Sequence, residues 1–147
     1  MTQLYRVLYC SRNCLVDATP EAYKTEISQI LARSRANNAR DGVTGGLLFS
    51  DGCFAQVLEG PIHAVEEAFE RIQCDERHRD VTVLQSGSIQ ARDFPDWSMA
   101  FTGIQEANPL ADGALHGAFS GQSSAGDQLL GILKNVVVHE NHWLAPA

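Results

Sequence analysis

The stretch Asp51-Gly52-Cys53-Phe54-Ala55-Gln56-Val57-Leu58-Glu59-Gly60-Pro61 decides how the rest of the chain is read. Asp-Gly is the pair that fills a two-residue hairpin turn, because both turn positions need positive φ. Gly60-Pro61 is a breaker followed by a residue suited to the first turn of a helix. Between the two, a strand of about seven residues is predicted. Alternation puts Phe54, Gln56 and Leu58 on one face and Cys53, Ala55, Val57 and Glu59 on the other. Gln56 is thus a primary amide between two large apolar side chains. Buried without partners it costs about 1–3 kcal/mol, so a polar partner is required opposite it.

Outward from this strand the pattern is regular. Leu4 to Ser11 reads as strand one, with Tyr5, Val7, Tyr9 and Ser11 on one face and Leu4, Arg6, Leu8 and Cys10 on the other. Thr19-Pro20-Glu21 opens helix one with a cap, a proline at the first helical position and an acid in the first turn. Tyr23, Ile27, Ile30, Leu31 and Ser34 give it a buried face. It runs down at Asn37-Asn38, and Gly42 marks the turn beyond. Val43 to Ser50 is strand two, paired with strand three through the hairpin. Helix two starts at Gly60-Pro61, with Ile62, Val65, Ala68, Phe69 and Ile72 as its stripe and Glu66, Glu67 and Glu70 facing water. Asp80 to Gln85, extending towards Ile89, is strand four. Phe94 to Phe101 is strand five, with Trp97, Met99 and Phe101 on one face.

The order β-α-β-β-α-β-β, with right-handed crossings, places both helices on one face of the sheet. The predicted fold is ferredoxin-like α+β, with strands one and three adjacent in the middle. Tyr9 and Gln56 are then neighbours beneath the helices. The second face is apolar too, with Leu4, Leu8, Cys10, Ala55 and Val57. Only residues 103–147 are left to cover it. Within them Asp127 to Val138 carries a helical stripe of Leu129, Leu130, Ile132, Leu133, Val136 and Val137. Residues 1–102 are therefore predicted to form the functional domain, and 103–147 a helical cap on the sheet rather than a second domain.

Composition narrows the function. The 147 residues fit one domain. Apolar content of 44% and charged content of 20% are those of a soluble globular chain. A net charge of −7 opposes nucleic-acid binding and docking on anionic lipid. No apolar run approaches the ~20 residues that span a bilayer, and no secretion signal is read, so a cytoplasmic protein is expected. Cys10, Cys14, Cys53 and Cys74 form no C-x-x-C pair and read as reduced, largely buried thiols. No phosphate loop or hydrolase constellation is present. His139 and His142 read as a solvated tail, and no metal site is expected. What remains is a slot between two helices and a sheet. Asn37, Asn38, Gln56, Arg71 and Asp75 stand at its edge, the mixture that suits a flat heterocycle.

Five segments, in order and spacing, make this pattern specific: L-Y-R-V-L-Y-C-S-R, I-L-A-R-S-R-A-N-N-A-R-D-G-V-T-G, the central strand itself, R-I-Q-C-D-E-R-H and R-D-F-P-D-W-S-M. Over residues 4–101 the chain resembles the BLUF family, the blue-light sensors that use flavin. The resemblance implies a photoreceptor holding one non-covalent flavin, FAD or the FMN that presents the same ring. Tyr9 is implied to give an electron and a proton to the excited flavin. Gln56 is implied to bridge phenol and ring and to rearrange, which shifts the absorption to the red. Asn38 and Asn37 would bond the ring edge. Arg71, Asp75 and His78 would approach from helix two, and Ile30 and Ile72 would sandwich the ring. Ser11 would bond locally near strand five and, with Trp97 and Met99, would belong to the relay that carries the change to the sheet edge. The switch completes no turnover, so no enzyme activity is implied. Its signal would pass to a protein partner or through a change of oligomer, and a homo-oligomer is expected. The residues alone also fit a light-insensitive ferredoxin-like domain that binds another small molecule or carries out turnover.

Overall fold

In the computed structural model of the chain, residues 3–13, 20–50, 53–75, 78–94, 100–102 and 125–140 are described. The elements are β1 (Leu4–Asn13), α1 (Pro20–Asp41), β2 (Thr44–Ser50), β3 (Cys53–Pro61), α2 (Ile62–Gln73), β4 (His78–Ile89), β5 (Ala100–Thr102) and α3 (Ala125–Glu140). The strands form one sheet in the order β4-β1-β3-β2-β5. Neighbours among the first four are antiparallel, and β5 joins β2 in parallel. This is the predicted ferredoxin-like α+β sheet with β1 and β3 at its centre.

Each face of the sheet carries its own apolar core. Val7, Tyr9, Leu47, Phe54 and Leu58 meet Leu31 of α1 and Val65 and Ala68 of α2. On the reverse, Leu8, Cys10, Leu48, Ala55 and Val57 meet Leu129 and Leu133 of α3, both fully buried. Alternation along two central strands thus produces both layers. A hydrogen bond of 2.6 Å from Gln85 Nε2 to Asp127 also ties the start of α3 to β4. Among the described residues no helix is long and apolar enough to cross a membrane.

Four boundaries depart from the prediction. First, α1 continues past Asn37-Asn38 to Asp41. Gly42 then takes φ 75°, and the Val43 N–H bonds the Asn38 carbonyl at 2.9 Å, the closure that glycine allows at a helix end. The two asparagines therefore sit within the last turns of the helix instead of ending it. Second, β3 keeps its pairing through Gly60 and Pro61, so Pro61 precedes α2 and is not its first residue. Third, β4 is longer than predicted. It begins at His78 and includes a bulge against β1, where Asp80 adopts φ 55°. Fourth, Phe94 is not a strand residue: it lies fully buried in a bend. The Glu59 carboxylate accepts the N–H groups of both Asp93 and Phe94, which removes them from any ladder. The described part of strand five is only Ala100–Thr102. The turn residues Asp51 and Gly52, the Thr19 cap, Cys14, Trp97 and Met99 lie outside the described residues, as does 103–124.

Candidate flavin site

The central ladder sets Tyr9 opposite Gln56, and Gln56 opposite Leu47. All three are buried, on the face under α1 and α2. The Tyr9 hydroxyl donates to Gln56 Oε1. The phenol ring leans on Phe69 of α2 at 5.4 Å between centroids, tilted by 47°. The phenol is therefore held at both ends, by an aromatic neighbour and by an amide. Burial first, and the Asp75 carboxylate second, push its pKa far above that of a free phenol, so it stays protonated.

Above this pair is a cavity of about 880 Å³, at the upper end of the range typical of small-molecule sites. Tyr9, Leu47, Phe54 and Gln56 form its floor. Ile30, Arg33, Ser34, Asn37 and Asn38 line it from α1. Glu67, Ala68, Glu70, Arg71 and Ile72 line it from α2, with Cys74 and Asp75 just beyond. Ile30 and Ile72 thus face one slot from two different helices. Asn38 is buried, while Asn37 is partly exposed. Arg71 reaches across the rim to Asp41 of α1 at 3.6 Å. Asp41 is held below the ordinary carboxylate range chiefly by hydrogen bonds from Arg40, at 2.9 and 3.1 Å.

Of the residues singled out in the sequence, the structure gathers Tyr9, Ile30, Asn37, Asn38, Gln56, Arg71, Ile72 and Asp75 around this one cavity. Ser11 is fully buried on β1, opposite Phe54 and three strands away from β5. It is therefore not beside the described part of strand five. His78 opens β4 opposite Asn13, and its side chain lies outside the described residues.

Arg33, Ser34, Glu67, Glu70 and Cys74 were not anticipated at the rim. The signal was helical spacing: 30, 33, 34, 37 and 38 form one stripe of α1, and 67, 71 and 75 are four apart along the other wall. Cys74 also corrects the expectation of buried thiols, since it is exposed, whereas Cys10 and Cys53 are buried.

Burial pushes the Cys10 thiol up to about 11, with Cys53 adding to the effect. A thiol-specific alkylating agent at pH 8 should accordingly label Cys74 and spare Cys10 and Cys53 until the chain is unfolded. Peptide mass mapping reads the outcome, and rapid native labelling of Cys10 would contradict it. The native state holds the Cys10 proton more tightly than the unfolded chain. That contribution to stability is complete below pH 9 and is lost as pH rises towards 11.

Comparison with known proteins bears on this geometry. Residues 4–100 match the family described as BLUF, sensors of blue-light using FAD. The photoactivated adenylate cyclase subunit beta of Euglena gracilis is 37% identical over 83 residues, which is 56% of this chain and 10% of that protein. The match thus spans about a tenth of the length of such relatives. Among solved structures, the dark state of BlrB, a BLUF protein, is 36% identical with a TM-score of 0.71, covering 87% of this chain and 94% of that one. BlsA in its photo-activated state has a TM-score of 0.73 at 26% identity, covering 94% and 97%. The chain belongs to the BLUF family, the sensors of blue light that use FAD.

Proposed function

We propose that Tyr9 and Gln56 are the light-responsive pair of this sensor, beneath a flavin held between α1 and α2. The observation that carries the reading is the Tyr9–Gln56 hydrogen bond at the floor of a cavity with an isoleucine on each wall. The residues present fit the flavin ring. Ile30 and Ile72 offer two apolar faces for a flat tricycle, and the buried Asn38 amide, with Asn37, offers donors and an acceptor at its edge. Arg71 and Asp75 complete the polar side, and His78 is assigned to the same ligand on the family resemblance alone. When bound, the flavin supplies absorption of blue light and a strong demand for one electron and a proton.

The chain's own residues then have defined tasks. Tyr9 is the source of the electron and the proton, and it recovers both, so no net reaction occurs. Gln56 accepts from Tyr9 through Oε1, which leaves its amide nitrogen as the donating end towards the ring. Loss of the phenolic proton removes the reason for that orientation, and the amide settles with its ends exchanged. The two arrangements need differ by only a few kcal/mol to serve as a switch. Burial of the pair keeps water from competing for these bonds. Ser11, Trp97 and Met99 are assigned to relay the change. Residues 1–102 form the sensor and 103–147 its extension. The signal passes to a protein partner or alters a homo-oligomer, in a cytoplasmic protein without turnover of its own.

Addition of FAD to flavin-free protein should raise its melting temperature. At a hundredfold excess over Kd, mass action gives about 2.7 kcal/mol. Protein that takes up no flavin and gains no stability would overturn the reading. It would favour instead a ferredoxin-like domain that binds a different metabolite.

A further inference from the structure

The ladder that joins Tyr9 to Gln56 carries a second cross-strand pair. Arg6 on β1 stands opposite Glu59 on β3. Each lies three residues from its counterpart in the first pair, so alternation turns the two pairs to opposite faces. Tyr9 and Gln56 face α1 and α2, while Arg6 and Glu59 lie on the α3 side. Glu59 is fully buried and accepts from Arg6 Nε at 3.0 Å and from its terminal nitrogen at 2.7 Å. It also accepts the backbone N–H groups of Asp93 and Phe94, each at 2.9 Å at its nearest oxygen. Arg6 donates in addition to one oxygen of the Asp93 carboxylate. Lys134 of α3 approaches the other oxygen at 3.3 Å. Charges of alternating sign thus run unbroken from the central ladder to α3. Phe94, the next residue, is buried in the same cluster as Leu129 and Leu133.

We propose that this chain of charges is the route by which the state of the Tyr9–Gln56 pair reaches α3. Glu59 and Arg6 are positioning residues that fix the 93–94 segment to the ladder, and Lys134 is the point where α3 senses where that segment stands. The proposal rests on the reading of the cavity floor as the light-responsive pair, and adds where its change leaves the sheet. The two ends of the chain are built differently. Glu59 is fully buried and grips Arg6 and the 93–94 backbone through several hydrogen bonds, so that end moves as one body with the strands. The Lys134 side chain is half exposed, and its contact with Asp93 is weak enough to break without unfolding anything. A shift of the ladder is therefore expressed at the α3 end.

The test is hydrogen–deuterium exchange on the full chain loaded with FAD, in the dark and under blue light, with absorption spectra of the same samples. In the wild type, amides within 129–134 should exchange at different rates in light and dark. Lys134→Ala should lose that difference and Lys134→Arg should keep it, with the light-induced absorption shift present in both. Asp127→Ala, which cuts the separate tether to Gln85, should keep the difference. Mere loosening of α3 raises exchange equally in light and dark, so the difference isolates coupling from stability. An equal light–dark difference in wild type and Lys134→Ala would overturn the route. So would a wild type that shows the absorption shift but no difference in α3. Either result leaves the photochemical pair standing. A wild type with no absorption shift would overturn that pair, and the route with it.

Discussion

Tyr9→Phe is expected to abolish the light-induced absorption shift while FAD remains bound. The substitution removes one oxygen and keeps the ring, which stays buried and packed on Phe69. The cavity walls from Ile30, Asn38 and Ile72 are untouched. Two things are lost. The excited chromophore has no phenol from which to draw an electron and a proton, and Gln56 Oε1 loses its donor. Loss of one buried hydrogen bond costs about 0.5–1.5 kcal/mol, so a modest drop in stability should accompany the loss of response. Gln56→Leu should be equally silent to light, because no amide remains to exchange its ends. Spectra before and after illumination decide the matter, and an undiminished shift in Tyr9→Phe would remove the phenol from its assigned role.

Glu59→Ala is expected to destabilise the fold by about 3–5 kcal/mol, the usual cost of removing one partner from a buried ion pair. The Arg6 guanidinium would keep only Asp93, and the N–H groups of Asp93 and Phe94 would lose their acceptor. Against a total stability of about 5–15 kcal/mol for a domain, this is a large fraction. Glu59→Gln should cost less, since its carbonyl can still accept from the two N–H groups. Urea unfolding midpoints of the three proteins give the comparison. A loss below about 1 kcal/mol in Glu59→Ala would mean that the network carries no weight.

These two residues also mark where the sequence was legible and where it was not. The Tyr9–Gln56 pairing could be read because strand alternation, two right-handed crossings and a hairpin leave β1 and β3 as neighbours. Helical period put Ile30 and Ile72 on the apolar stripes of α1 and α2, and the family resemblance implied the slot they share. Glu59 was placed on the correct face, among Cys53, Ala55 and Val57, but its consequence was missed. An acid on a face destined for burial demands a partner, and Arg6 on the matching face of strand one was that partner. Recognising the pair needed the register, which periodicity alone does not supply. The same acid explains the error at Phe94: a buried carboxylate that captures two backbone N–H groups overrides an alternating pattern. The α1 terminus was misjudged because Asn-Asn looks like a cap, whereas Gly42, four residues after Asn38, was the stronger stop signal. Rim residues such as Arg33 and Glu67 are exposed, and only the facing of two helices gives them a shared cavity.

The most direct measurement is the light-minus-dark absorption difference of the FAD-loaded wild-type chain under blue light. A reversible displacement of the flavin band to longer wavelength, decaying in the dark and absent from Tyr9→Phe, is the expected result. A flavin-loaded protein whose spectrum is unmoved by illumination, or moves equally without the Tyr9 hydroxyl, would contradict the assignment of the Tyr9–Gln56 pair as the switch.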